Sequence, residues 1–141
     1  MTKYEELVAE LKMNLEIHPA VQDIMEKYKE SSMLLMSSLY EPFGLVLVEA
    51  MSCGIPVVAF NCPYGPTDII NDGKDGFLVK DRSIEVYANR VCQLMENDDL
   101  RQQMGKSAIL SAQRYKAETI MPQWKCLFID LLSSNKDEKR N

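Results

Sequence analysis

Glu41 and Glu49 bracket an otherwise apolar run, EPFGLVLVEAMSCGIP, over residues 41–56. A carboxylate buried without a partner is costly, and the neighbours of Glu49 (Val46, Leu47, Val48, Ala50 and Met51) leave it little polar face. Eight residues separate the two glutamates. On a helix that is a rotation of about 80° and a rise of about 12 Å. The two groups therefore cannot flank one bond, as the carboxylates of a glycoside-cleaving site must. They suit two acceptors reaching different parts of one elongated ligand, and carboxylates accept from hydroxyls such as those of sugars and ribose. The blander readings are that Glu41 is a favourable first-turn charge, and that Glu49 lies on a solvated stripe or meets a buried lysine.

Between the two carboxylates the sequence predicts a helix over 43–53. The Val and Leu content alone would also fit a strand, but Pro42 suits a first turn, Gly54 the residue after the last turn, and Pro56 a stop. The first N–H groups of such a helix, from Phe43 to Leu45, have no partner within it and carry partial positive charge. Gly44, without a side chain, lets a ligand approach the backbone. The expected occupant is an anion, most commonly a phosphate.

The elements that must hold this helix read as alternating strands and helices. Strands are expected at 14–17 (NLEI), 32–37 within SMLLMSS, 56–60 (PVVAF) and 76–79 (GFLV). Met33 and Met36 are core residues in this reading. Helices are expected at 3–12 and 20–30, the latter with Val21, Ile24, Met25 and Tyr28 on one face. A short helix fits around Thr67–Asn71. Three amphipathic helices follow at 83–96, 99–115 and 120–132. The acidic stretch ENDD (96–99) reads as a helix cap and solvated loop. The polar tail over 134–141 is expected to be disordered. Continuously apolar strands alternating with helices mean βαβ units: a Rossmann-like α/β fold, a parallel sheet with helices on both faces. Ligands of such sheets bind beyond the carboxyl ends of the strands, which is where the loop SSLYEPFG lies.

Composition narrows the field. With 141 residues, 46% hydrophobic and 26% charged, the chain is one ordinary domain with a packed core. A net charge of −5 argues against a nucleic-acid partner held by bulk electrostatics. The four cysteines (Cys53, Cys62, Cys92 and Cys126) include no C-x-x-C pair, and His18 is the single histidine, so no zinc site is expected. The thiols sit among apolar neighbours, as buried reduced cysteines of a cytosolic protein do. No run approaches the roughly 18 apolar residues of a membrane span, and the acidic start MTKYEELVAE does not read as a signal peptide.

The run E-P-F-G-L-V-L-V-E-A-M-S-C-G-I-P-V-V, continued by GPTDIINDGKDGFLV (65–79) and the helices at 83–96 and 99–115, resembles family 4 glycosyltransferases, retaining enzymes of the GT-B fold. The resemblance covers nearly the whole chain and is most specific over 31–80. It implies that residues 1–133 are part of the C-terminal, donor-binding domain of such an enzyme. Glu41 would contact the hydroxyls of the transferred sugar as the catalytic residue. The backbone of Phe43, Gly44 and Leu45 would hold sugar and diphosphate, and Glu49 the ribose hydroxyls. The donor would be a UDP- or GDP-linked sugar, with no metal and no other cofactor, and the acceptor a saccharide or lipid-linked molecule. The family also places a glycine and an acidic residue where Gly65 and Asp68 stand, and the nucleotide base near His18. Turn formation accounts for Gly65 equally, and Tyr40 reads as either pocket wall or core.

The chain also departs from the family. It lacks a whole N-terminal domain, the first βαβ unit of the C-terminal domain, and the Arg and Lys that clamp the diphosphate. It is expected to be a C-terminal fragment, inactive alone, and to self-associate through surfaces such as that of Trp124 and Phe128. The resemblance implies a cytoplasmic protein, or one peripheral to the inner face of the membrane when complete. A non-catalytic Rossmann-like module binding a nucleotide or a protein is the alternative.

Overall fold

The computed structural model describes residues 3–138, with side chains over 4–133. In order, the elements are α1 (Lys3–Glu10), α2 (Ile24–Glu30), β1 (Leu34–Met36), α3 (Leu45–Ser52), β2 (Val57–Phe60), α4 (Pro66–Ile69), β3 (Gly76–Val79), α5 (Ile84–Glu96), α6 (Asp98–Ala112) and α7 (Ala117–Glu138). The three strands form a parallel sheet in the order β1-β2-β3, with Leu34 opposite Val57 and Val57 opposite Gly76.

All four residues of β2 are buried, as its central place requires. Its alternating side chains divide the core into two layers. Val57 and Ala59 join Leu47, Ala50 and Met51 of α3 with Ala108 and Ala112 of α6. On the opposite face Val58 and Phe60 pack with Phe77, Val79, Leu94 of α5 and Met104 of α6. Helices therefore cover both faces, and α6 contributes to both layers.

The end of α3 is coded locally. Gly54 N–H bonds to Met51 O (3.0 Å) and Ile55 N–H reaches back to Ala50 O (3.1 Å), the paired closing bonds that a left-handed residue after the helix permits. Pro56 then starts the turn into β2. At the start of α6, Asn97 caps the helix by accepting from Leu100 N–H at 2.9 Å, and Arg101 pairs with Asp98. The ENDD stretch is thus a cap, as expected, but not a loop: Glu96 ends α5, and Asp98 and Asp99 form the first turn of α6.

Several expectations are corrected. Residues 14–17 form no strand; Leu15 and Ile17 are exposed. A strand exists only when a neighbour completes its ladder, and this segment does not dock on β1, whose outer edge is unpaired. Leu35 on that edge strand is 50% exposed, so β1 is not buried on both faces. Met36 is buried and Met33 packs against the core. α2 begins at Ile24, capped by Asp23, and not at residue 20, so Val21 lies ahead of it; in α2 only Tyr28 is buried, and Val21, Ile24 and Met25 face solvent. Cys62 is buried and Cys53 half-buried, but Cys92 and Cys126 are exposed. The last helix is longer than its periodic core, and its backbone stays helical to Glu138, past the polar boundary at 134. Its apolar face is open: Trp124 and Phe128 stack on each other at 5.8 Å and stay half-exposed.

Candidate functional site

The loop from Ser37 to Gly44 leaves the carboxyl end of β1 and enters α3. The helix starts at Leu45, two residues later than the pattern predicts, because Gly44 adopts φ +98° and caps it from the left-handed region. A Cβ at Gly44 would meet Leu47 Cδ1 at 3.0 Å and Glu41 Cγ at 3.4 Å. Packing between Glu41 and Leu47 therefore selects glycine, and its backbone ends the helix there. The first backbone bond of this turn is Leu47 N–H to Gly44 O, 2.9 Å. The N–H groups of Leu45 and Val46 precede it and form the positive end of the helix. Phe43 lies outside this turn, a correction that moves the N–H pair onto Leu45 and Val46.

Around that helix end three loops converge. Phe43 packs edge-on against Tyr115, with ring centroids 5.6 Å apart. Tyr115 donates to Asp68 O (3.3 Å), and Arg114 donates to Asp68 O (2.9 Å) and Ile69 O (2.6 Å). Gly65, at φ +72°, runs directly beneath the carbonyls of Glu41 and Phe43. From the other side Arg82 forks onto the loop, donating to Ser38 O at 2.9 Å and Ser37 O at 3.0 Å while its guanidinium lies over Phe60. Arg82 holds this loop by its backbone carbonyls, while Arg114 and Tyr115 grip the carbonyls of Asp68 and Ile69 in α4. The apolar pattern carries no trace of these contacts.

Glu41 is half-buried and folds over Gly44. Glu49, about one turn into α3, is also half-buried, and its Oε2 accepts from the Tyr28 hydroxyl at 3.1 Å. Among the described residues no lysine is its partner. Burial, followed by the hydrogen bond to Glu49 and its negative charge, pushes the Tyr28 phenol up to about 12. Tyr40 is exposed and is not core. Asp68 is exposed and serves the loop cluster through its carbonyl. His18 lies away from any element, exposed, with Nε2 3.2 Å from Glu16.

One carboxylate escaped sequence reading. Asp75, in the turn NDGKDG, is fully buried and accepts from Asn71 N–H (2.8 Å), Asn71 Nδ2 (2.6 Å) and the Ser111 hydroxyl (2.6 Å). It ties the turn before β3 to α6. Among the described residues no cluster of His, Cys, Asp and Glu is arranged to hold a metal ion, and no helix is long and apolar enough to cross a membrane.

The site as built offers a positive helix end, a side-chain-free approach at Gly44, and two carboxylates at different depths along α3. The family described as glycosyl transferases group 1 matches residues 2–111. An exopolysaccharide phosphotransferase of Streptomyces coelicolor is 35% identical over 120 residues, 84% of this chain and 13% of the relative. A poly(ribitol-phosphate) alpha-N-acetylglucosaminyltransferase of Staphylococcus aureus is 37% identical over 108 residues, 76% of this chain and 21% of the relative. Among solved structures, S. aureus TarM in complex with fondaparinux, alpha-GlcNAc-glycerol and UDP superposes with a TM-score of 0.82 at 31% identity, covering 89% of this chain and 26% of that one. The chain thus spans 13% and 21% of the two curated relatives' lengths.

Proposed function

Because this chain belongs to the glycosyl transferases group 1 family, we propose that it is the nucleotide-sugar-binding part of a glycosyltransferase, of the retaining family 4 type. The observation that carries this reading is the helix end itself: the Leu45 and Val46 N–H groups beside Gly44, with Glu41 folded over that glycine and Glu49 further along the same helix. The diphosphate lies at the positive end of α3, where backbone donors and the macrodipole favour an anion. The ribose reaches Glu49 and the sugar reaches Glu41. Carboxylates make strong, charge-assisted bonds to such hydroxyls.

The transferred sugar goes to a saccharide or lipid-linked acceptor, in the cytoplasm or at the inner face of the membrane. UDP in the similar TarM complex supports a uridine donor. The reading assigns no metal and no cofactor beyond the donor, so a chelator leaves binding unchanged. Residues 1–141 alone bind nucleotide without turning over sugar, since the acceptor-side groups and the Arg and Lys clamp of the family lie outside them. Half-exposed Trp124 and Phe128 favour self-association of the chain.

The test is calorimetric titration with UDP, GDP and ADP and their sugars, with and without EDTA. Binding of one nucleotide family, unaffected by EDTA, is expected. A chain that binds none of them is instead the non-catalytic module. Light scattering at rising concentration checks self-association.

A further inference from the structure

We infer that Tyr28 is a positioning residue for nucleotide recognition, holding the Glu49 carboxylate so that one oxygen is committed to the protein and the other is left for ribose. The inference rests on the donor-binding reading above and deepens it by naming what sets the orientation of Glu49.

Tyr28 comes from α2, 21 residues upstream of Glu49. It is the one buried residue of its helix, at 6% exposure, while the other apolar side chains of α2 face solvent. Its ring joins the same core layer as Leu47, Ala50 and Met51 of α3, so packing places its hydroxyl against α3. A phenol has one proton to give. Two acceptors are near it: Glu49 Oε2 at 3.1 Å and Val46 O at 3.5 Å. The shorter, charged acceptor takes the proton, since 3.5 Å lies at the weak limit of a hydrogen bond. Glu49 Oε1 has no hydrogen-bond partner among the described residues, and the residue is only half-buried.

A Glu–Tyr pair serving the fold alone would be satisfied by burial of the carboxylate on the Tyr28 side. Here the side chain keeps one oxygen toward solvent, on the helix whose start forms the site. Glutamate has three rotatable bonds, and anchoring one oxygen removes most of that freedom before ligand arrives. An acceptor fixed in advance binds more tightly than one that must be ordered on binding. The neutral state of Tyr28 suits the role: burial and the Glu49 charge hold the phenol protonated far above physiological pH.

The experiment compares Tyr28→Phe, Glu49→Gln and the double variant of the 141-residue chain by calorimetry with UDP and with its 2′,3′-dideoxy analogue. Tyr28→Phe keeps the buried ring, and circular dichroism verifies the fold. The expected result is an affinity for UDP about three- to ten-fold weaker. The dideoxy analogue, which has no ribose hydroxyls to offer Glu49, is unaffected, and Tyr28→Phe adds nothing once Glu49 is Gln. If Tyr28→Phe weakens both nucleotides equally, Tyr28 serves the fold only. If it weakens neither while Glu49→Gln weakens UDP, the positioning role is wrong and the ribose contact stands. Glu49→Gln without effect on UDP, or no binding of UDP, GDP or ADP by the unaltered chain, overturns the donor-binding reading, and this inference with it.

Discussion

Gly65 lies directly against the backbone of Phe43. A Cβ on Gly65 would stand 2.9 Å from Glu41 O and closer still to Phe43 O. Its backbone, at φ +72° and ψ −95°, is in a region side chains avoid. Gly65→Ala therefore meets backbone rather than a flexible side chain, and the strained dihedral adds about 1–3 kcal/mol. The loop bearing Glu41 must move away. Denaturation midpoints and UDP affinity are expected to fall together, whereas a pure turn-former would lower stability alone.

Asp75 should behave as a structural carboxylate. Asp75→Ala leaves the Asn71 amide, the Asn71 backbone N–H and the Ser111 hydroxyl without their acceptor. An expected loss of about 3 kcal/mol follows from the unsatisfied buried donors. Ser111→Ala costs about 1 kcal/mol, because Asp75 keeps both bonds from Asn71. Urea unfolding of the two single variants and the double variant checks this: the double should resemble Asp75→Ala, not the sum.

Glu49→Gln keeps the shape of the side chain and removes a charged acceptor. UDP should bind about ten- to a hundred-fold more weakly, the equivalent of about 1.5–3 kcal/mol. Glu41→Gln should leave binding of UDP nearly unchanged and lower turnover of the complete enzyme, because a sugar contact acts where the bond breaks. Calorimetry with UDP, beside steady-state kinetics with the sugar donor, separates the two. The reverse pattern, with Glu41→Gln losing UDP and Glu49→Gln retaining it, would contradict both assignments.

Tyr28 predicts an alkaline loss of stability. Its pKa is raised in the fold from 10.0 to about 12, chiefly by burial. The folded state therefore favours the protonated phenol. That contribution is complete below pH 10 and disappears as pH rises from 10 through about 12. Unfolding free energy should fall more steeply over this range in the unaltered chain than in Tyr28→Phe. The slope left in the variant belongs partly to Tyr87, which burial also raises.

Much of this protein is written locally. The apolar spacing of 83–96 and 99–115 yields α5 and α6 within a residue or two at their starts, because a helix face that must be buried repeats along its own sequence. Gly54 and Pro56 announce the end of α3, since the left-handed residue and the stop act within four residues. The uninterrupted apolar runs at 57–60 and 76–79 announce buried parallel strands. Even the oddity of Glu49 in an apolar helix is visible before any fold is known.

Tertiary structure decided what depends on a distant partner. NLEI at 14–17 has the residues of a strand and no neighbour to complete its ladder. The start of α3 shifted from 43 to Leu45 because Gly44 must pass between Glu41 and Leu47. No local pattern contains that constraint. Arg82 gripping the carbonyls of Ser37 and Ser38 spans 44 to 45 residues of sequence, and Ser111 reaching Asp75 spans 36. The Tyr28–Glu49 pair spans 21. Periodicity says which face of an element is apolar. It does not say which polar atoms meet when those faces close, because hydrogen bonds are directional and are made only where packing brings both ends within about 3 Å.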